Sequence, residues 1–240
     1  MTEQGWLQAT DPQKMLAQLR DKVSERKQRL FAVACCRRFR FVMTDEDWAV
    51  IEAAESFADV RVSGWRWMKL QPLRNQLMAL LAVAVAKRRE RSEFPIDYSI
   101  IAALNVIAFP GIGQIAKYAA RSLLDAAYLS GPDGDDRASI NARNAAEEAE
   151  RAKQVAAVRC VFGNPFCPVA VDLSWLTWND GTVLKLAQSI YDERAFDHLP
   201  ILADVLEEAG CRDQDILAHC RSGGEHVRGC WVVDLVLGKS

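Results

Sequence analysis

The chain has 240 residues, half of them apolar, with 30 basic against 32 acidic side chains and a formal net charge of −2. That length holds one large or two small cores, and the composition is that of an ordinary globular protein. The near-neutral balance excludes an overall field that would draw the chain to nucleic acid or to an acidic membrane. The seven cysteines are odd in number, and Cys35 and Cys36 adjoin, an arrangement that rarely bridges. The opening MTEQGWLQATDPQKML carries acids and no apolar core of the signal-peptide kind. Reduced thiols in a bacterial-type cytoplasm are the expectation.

The first predicted element follows a cap at Thr10 or Asp11, with Pro12 at the first helical position and Met15, Leu16, Leu19 and Val23 at helical spacing. ERKQRLFAVACCRRFRFVM then sets Leu30, Phe31, Ala34, Cys35 and Val42 on one side of a helix. Arg26, Arg29, Arg37 and Arg40 fall on another side. A third helix, TDEDWAVIEAAESFAD, has Thr44 as cap and three acids in its first turn, where the helix dipole favours anions. VSGWRWMKLQP (62–72) reads as a break containing Trp65 and Trp67, and a helix from about Leu73 to Arg91 ends in the basic run KRRER.

LMALLAVAVA (77–86) is too short to span a bilayer. YSIIAALNVIAFPGIGQIA (98–116) is nearly long enough, but Asn105, Pro110, Gly111, Gly113 and Gln114 interrupt it. Two short apolar helices packed on each other account for this apolar middle (77–116), and a membrane partner is not expected. GPDGDDRAS (131–139) is an exposed loop and the best boundary in the chain.

After it, INARNAAEEAERAKQVAAVRCVF is alanine-rich and strongly helical, ending before GNPFCP. Residues 163–181 hold two prolines, Trp175 and Trp178 and no 3.6-residue period, so an ordered irregular segment is expected. Three helices follow: TVLKLAQSIYDERAF, HLPILADVLEEAG with Leu199, Leu202, Val205 and Leu206 inward, and the short RDQDILAHCR capped by Asp213. GEHVRGCWVVDLVLG closes as a helix, since an isolated strand would lack a partner. The fold class is therefore all-α: a multi-helix array or bundle with a helical unit over 1–130 and a second over 138–240.

Both ends resemble a known group. WLQATDPQKMLAQLRDKVSERKQRLFAVACCRRF and FGNPFCPVAVDLSWLTWNDGTVLKLAQSIYDERAFDHLPILADVLEEAGCRDQDILAHCRSGGEHVRGCWVVDLVLGKS resemble the opening and closing segments of a paralogous family expanded in planctomycete bacteria. The resemblance covers roughly half the chain and departs at 60–130, where this sequence is apolar and broken by Pro and Gly. It implies no reaction, ligand or catalytic residue.

Candidate chemistry concentrates in CRDQDILAHCRSGGEHVRGCW (211–231). Zinc takes about four nitrogen or sulfur ligands, usually as two close pairs. His226 and Cys230, four apart, would meet on one face of a helix. His219 and Cys220 adjoin, so on a helix they point about 100° apart. The zinc set expected on this spacing is Cys211, Cys220, His226 and Cys230. The plainer reading, which the sequence favours, makes the three cysteines small buried residues and His226 a surface or capping group. A nucleophile–base pair of Cys220 with His219 is disfavoured by the same divergence. Asp192, Glu193 and Asp197 read as a solvated helix end, and GIGQIA lacks the lysine and preceding strand of a phosphate cradle.

Two binding surfaces remain. Arg26, Arg29, Arg37, Arg38 and Arg40, with Phe39 and Phe41 between, would follow a phosphate backbone if they formed an exposed face. The alternative is a face paired with DEDW or EEAE. Trp65, Trp67, Trp175 and Trp178 stand in irregular stretches, where tryptophan often carries binding energy to a partner. The favoured expectation is a non-catalytic protein-interaction module, an adaptor or accessory subunit of a cytoplasmic assembly. A nucleic-acid-associated protein and a small zinc-binding C-terminal domain are the alternatives.

Overall fold

The computed structural model describes residues 1–19, 22–60, 71–91, 115–129, 132 and 135–239. All regular structure among the described residues is helical, as the sequence periodicity predicts. No helix among them is long and apolar enough to cross a membrane. Trp65, Trp67 and the run 98–114 lie outside the described residues.

The chain divides into two compact units, residues 8–155 and residues 1–7 with 156–240. The loop 131–139, marked as a boundary in the sequence, falls inside the first unit. The division comes instead within the alanine-rich helix. The first seven residues join the C-terminal unit because a side chain of that helix holds them. The Arg159 guanidinium donates to the carbonyls of Trp6 and Leu7 at 3.3 and 2.8 Å. Asn164 Nδ2 donates to Glu3 at 2.8 Å, and Trp6 is buried.

In residues 8–155, α1 (Glu3–Leu7) having gone with the other unit, the first helix is α2 (Pro12–Gln18). Asp11 caps it, accepting from the backbone N–H of Gln13 at 2.9 Å, and Pro12 opens it. Ser24 caps α3 (Glu25–Arg37), which buries Leu30, Phe31, Val33, Ala34, Cys35 and Cys36. Thr44 and Asp47 form a reciprocal capping box on α4 (Asp45–Ala58), with bonds of 3.2 and 2.8 Å that satisfy two otherwise orphaned donors. Helix α5 (Gln71–Arg91) packs on α4, and α6 (Ile115–Leu129) packs on α3. Helix α7 (Arg137–Phe162) starts in this unit and ends in the other.

The C-terminal unit contains the end of α7, then α8 (Leu173–Thr177), α9 (Thr182–Glu193), α10 (Leu199–Glu208), α11 (Gln214–Arg221) and α12 (Trp231–Val236). Gly163 stops α7 with φ of +63°, and a Cβ there would meet the Trp231 ring at 3.1 Å. Both constraints select glycine. The segment 163–181 is ordered, and it contains one regular turn that its sequence period does not predict: Asp172 accepts from the N–H of Ser174 and starts the single-turn helix α8. Asn179, Asp180 and Gly181, with φ of 45°, 55° and 77°, then swing the chain into α9.

Candidate metal centre

Four side chains of the C-terminal unit converge. Cys160 comes from the last turn of α7, His219 from α11, His226 from the loop after it, and Cys230 from the residue that opens α12. Their four ligand atoms all lie within 4.8 Å of one another. Cys160 Sγ is 3.6 Å from His226 Nδ1, and His219 Nε2 is 3.3 Å from Cys230 Sγ. Both sulfurs are buried and both rings half-buried.

The two short contacts fit one ion. A tetrahedral zinc with sulfur at about 2.3 Å and nitrogen at about 2.0–2.1 Å has sulfur–nitrogen edges near ~3.5 Å, which the two observed contacts bracket. Two thiols and two imidazoles are also the donor set zinc takes in closed structural sites. The surroundings fix the rings. His226 Nε2 faces the Ser222 carbonyl at 3.3 Å and the Ser222 hydroxyl at 3.2 Å. A proton on Nε2 donated to that carbonyl leaves the Nδ1 lone pair aimed at the cluster, the outer-shell arrangement of metal-binding histidines. The His219 ring lies edge-on to His226, centroids 4.8 Å apart, and against Trp231 at 5.3 Å.

The electrostatics agree. Burial on its own raises a thiol, and at Cys230 it is the largest single influence. The Cys160 thiol and the His219 and His226 rings hydrogen-bond to Cys230 and together outweigh it, holding Cys230 well below the usual thiol value. At His226, burial lowers the imidazole, but the hydrogen bond and charge of Cys230 and the Ser222 backbone leave it raised. The lowered thiol and the raised ring favour a proton passing from sulfur to nitrogen. A dication held by the same four atoms would take the place of that proton.

The sequence-based zinc set is half corrected. His226 and Cys230 do meet, but from a loop and a helix start, since residues 222–230 form no helix. Cys211 and Cys220 are outside the cluster. Both are buried, and burial raises each thiol, first in order of effect at both. Their places are taken by Cys160 and His219. The helical divergence of His219 and Cys220 is real: only one of two adjacent side chains can face the cluster, and it is His219. Cys160 carried no signal beyond being a cysteine near a helix end.

The arginines of the basic run do not form an open cationic face. Arg26 pairs with Asp59 at 3.1 Å and Arg37 with Glu55 at 2.7 Å. Arg29, only 1% exposed, pairs with Glu25. Arg38 grips Glu150 with two bonds, Nε at 3.1 Å and a terminal nitrogen at 2.6 Å. Gln154 adds a bond of 3.0 Å to the same carboxylate and one of 3.1 Å to the Ala120 carbonyl, tying α3, α6 and α7 together. Arg40 is exposed and pairs with Asp45 at 2.9 Å, with its guanidinium over Trp48. A phosphate backbone would have to displace these carboxylates. Asp192, Glu193 and Asp197 are exposed at helix ends, as expected of solvated charge. Trp175 and Trp178 are half-buried, and the neighbouring Leu173 is 73% exposed.

No protein-family model matches this chain, and no curated protein or solved structure matches it either.

Proposed function

We propose that the chain is a non-catalytic helical module whose C-terminal unit is stapled by a structural zinc ion on Cys160, His219, His226 and Cys230. The observation that carries this reading is the convergence of those four ligand atoms within 4.8 Å from residues as far apart in the chain as 160 and 230. Four protein ligands complete a tetrahedron and leave no position for substrate or water, which separates a structural zinc from a catalytic one. The ion would join the end of α7 to α11 and α12. A partner surface of such a module is proposed at 163–181, where Leu173 stands exposed beside Trp175 and Trp178.

Metal analysis of the reduced, extensively dialysed protein tests the zinc reading. About one equivalent per chain is expected, and less than about a tenth rejects it. Variants then choose between ligand sets. Cys160→Ser and His219→Ala should lose the ion, while Cys211→Ser and Cys220→Ser should keep it. The reverse pattern would restore the set expected from sequence spacing alone. For the partner surface, capture of a binding protein by the wild type and not by Leu173→Asp is expected. Equal capture by both would remove that surface.

A further inference from the structure

The zinc reading, on which this inference rests, leaves open what would remove the ion. Both sulfurs of the cluster sit in one group whose ligand atoms span at most 4.8 Å. A disulfide needs them at about 2.05 Å, a shift of the size that side-chain rotation and loop movement supply. Cys230 stands at the end of the loop 222–230, where it opens a six-residue helix. The sulfurs are buried, but a cleft of about 400 Å³ lined by Phe196, Asp197, Pro200, Ser222 and Glu225 ends on His226. A small molecule in that cleft would stand beside His226, one of the four converging side chains. The remaining thiols of the unit are less well placed: Cys167 is exposed and apart from the cluster, and Cys211 and Cys220 are excluded from it.

We propose that Cys160 and Cys230 are a peroxide-reactive dithiol, and that their oxidation to a disulfide expels the zinc ion. Zinc-bound sulfur is thiolate and keeps its nucleophilic character. The Cys230 sulfur attacks one oxygen of hydrogen peroxide, the O–O bond breaks, and the departing hydroxide takes a proton to become water. Cys230 is then a sulfenic acid. The Cys160 thiolate attacks the Cys230 sulfur, the S–S bond forms, the S–O bond breaks, and the second hydroxide leaves as water with another proton. Two thiolates lose two electrons, peroxide gains them, and the ion departs because both of its anionic ligands are gone. His219 and His226 alone hold zinc weakly, so the unit passes from a stapled to an unstapled state, and a thiol reductant with zinc reverses it.

The test uses the full-length zinc-loaded protein and hydrogen peroxide. Released zinc is followed with a chromophoric chelator, free thiols are counted, and the disulfide is mapped by peptide mass after alkylation. Zinc release in step with loss of two thiols, a Cys160–Cys230 cross-link, and re-uptake of zinc after reduction are expected. A Cys167→Ser variant should respond in the same way. A protein that holds zinc and keeps it through peroxide treatment overturns this inference and leaves the structural zinc standing. So does zinc release with a Cys220–Cys230 cross-link or with irreversible sulfinic acid in place of the Cys160–Cys230 bond. A protein that holds no zinc before peroxide is added overturns both.

Discussion

In residues 8–155 the reactive-looking groups are spent on one another as charge. Arg37 ends on Glu55, Arg38 on Glu150, and Arg26 on Asp59, each with its side chain mostly out of water. In the C-terminal unit the groups that converge are neutral in their ordinary state, two thiols and two imidazoles. The difference is one of stoichiometry. A guanidinium and a carboxylate cancel each other's charge, leaving no demand for a further ion. Two thiols and two imidazoles have more lone pairs than protons to share, which makes them a donor set able to hold a cation. Density of charge in a sequence is thus a poor guide to an open binding face, because these charges are already paired.

Four substitutions and conditions break or sharpen this contrast. Two effects of similar size come first, one on each side of it. With zinc a thousand-fold above its dissociation constant the folded unit gains about 4 kcal/mol, and Cys230→Ser should remove that gain from the thermal transition. On the charge side, Glu150→Ala strands Arg38, whose side chain is 10% exposed, and should cost about 3–5 kcal/mol in chemical denaturation with no dependence on zinc. A zinc-sensitive loss in that variant would blur the contrast. Gly163→Ala places a methyl group 3.1 Å from the Trp231 ring on a backbone with φ of +63°, and a loss of about 1–3 kcal/mol is expected. Because Trp231 packs on His219, zinc retention should fall in the same variant. Smallest is Arg40→Glu at the exposed pair with Asp45, where less than about 1 kcal/mol is expected and DNA or RNA binding should not change.

The pH dependence separates the two states of the cluster. His226 is raised in the folded, metal-free chain, so its contribution to stability is complete below the unfolded imidazole value of 6.5 and is lost as pH rises through the folded one. Zinc takes the ring in its unprotonated form. Protons and zinc therefore compete, and the difference in melting temperature between zinc-loaded and metal-free protein should widen from pH 5 to pH 8. A difference that is flat over that range would mean His226 is not a ligand.

Most of the helices were legible in the sequence, because their ends are written in single residues. Asp11 with Pro12, Thr44 with Asp47, and Asp213 each cap the helix their chemistry predicts. The alternative pairing of the arginines with DEDW and EEAE was also legible, and Asp45 and Glu150 are members of those runs. Cys160 was not, because its partners lie far along the chain and its neighbours read as ordinary core. Between His219 and Cys220, periodicity says that the two diverge but not which of them faces the loop that brings His226. The pairing of His226 with Cys230 came from helical spacing, whereas a turn makes it. Cys211 and Cys220 are the small buried residues the plainer reading expected, while Cys230 is buried in a different company.

X-ray absorption at the zinc edge of the reduced, zinc-loaded protein tests the central claim most directly. The account predicts two sulfur scatterers at about 2.3 Å and two nitrogen scatterers at about 2.0–2.1 Å, with the sulfur shell diminished in Cys160→Ser. A shell of oxygen and nitrogen only, or a sulfur shell that survives Cys160→Ser and disappears in Cys220→Ser, would contradict it.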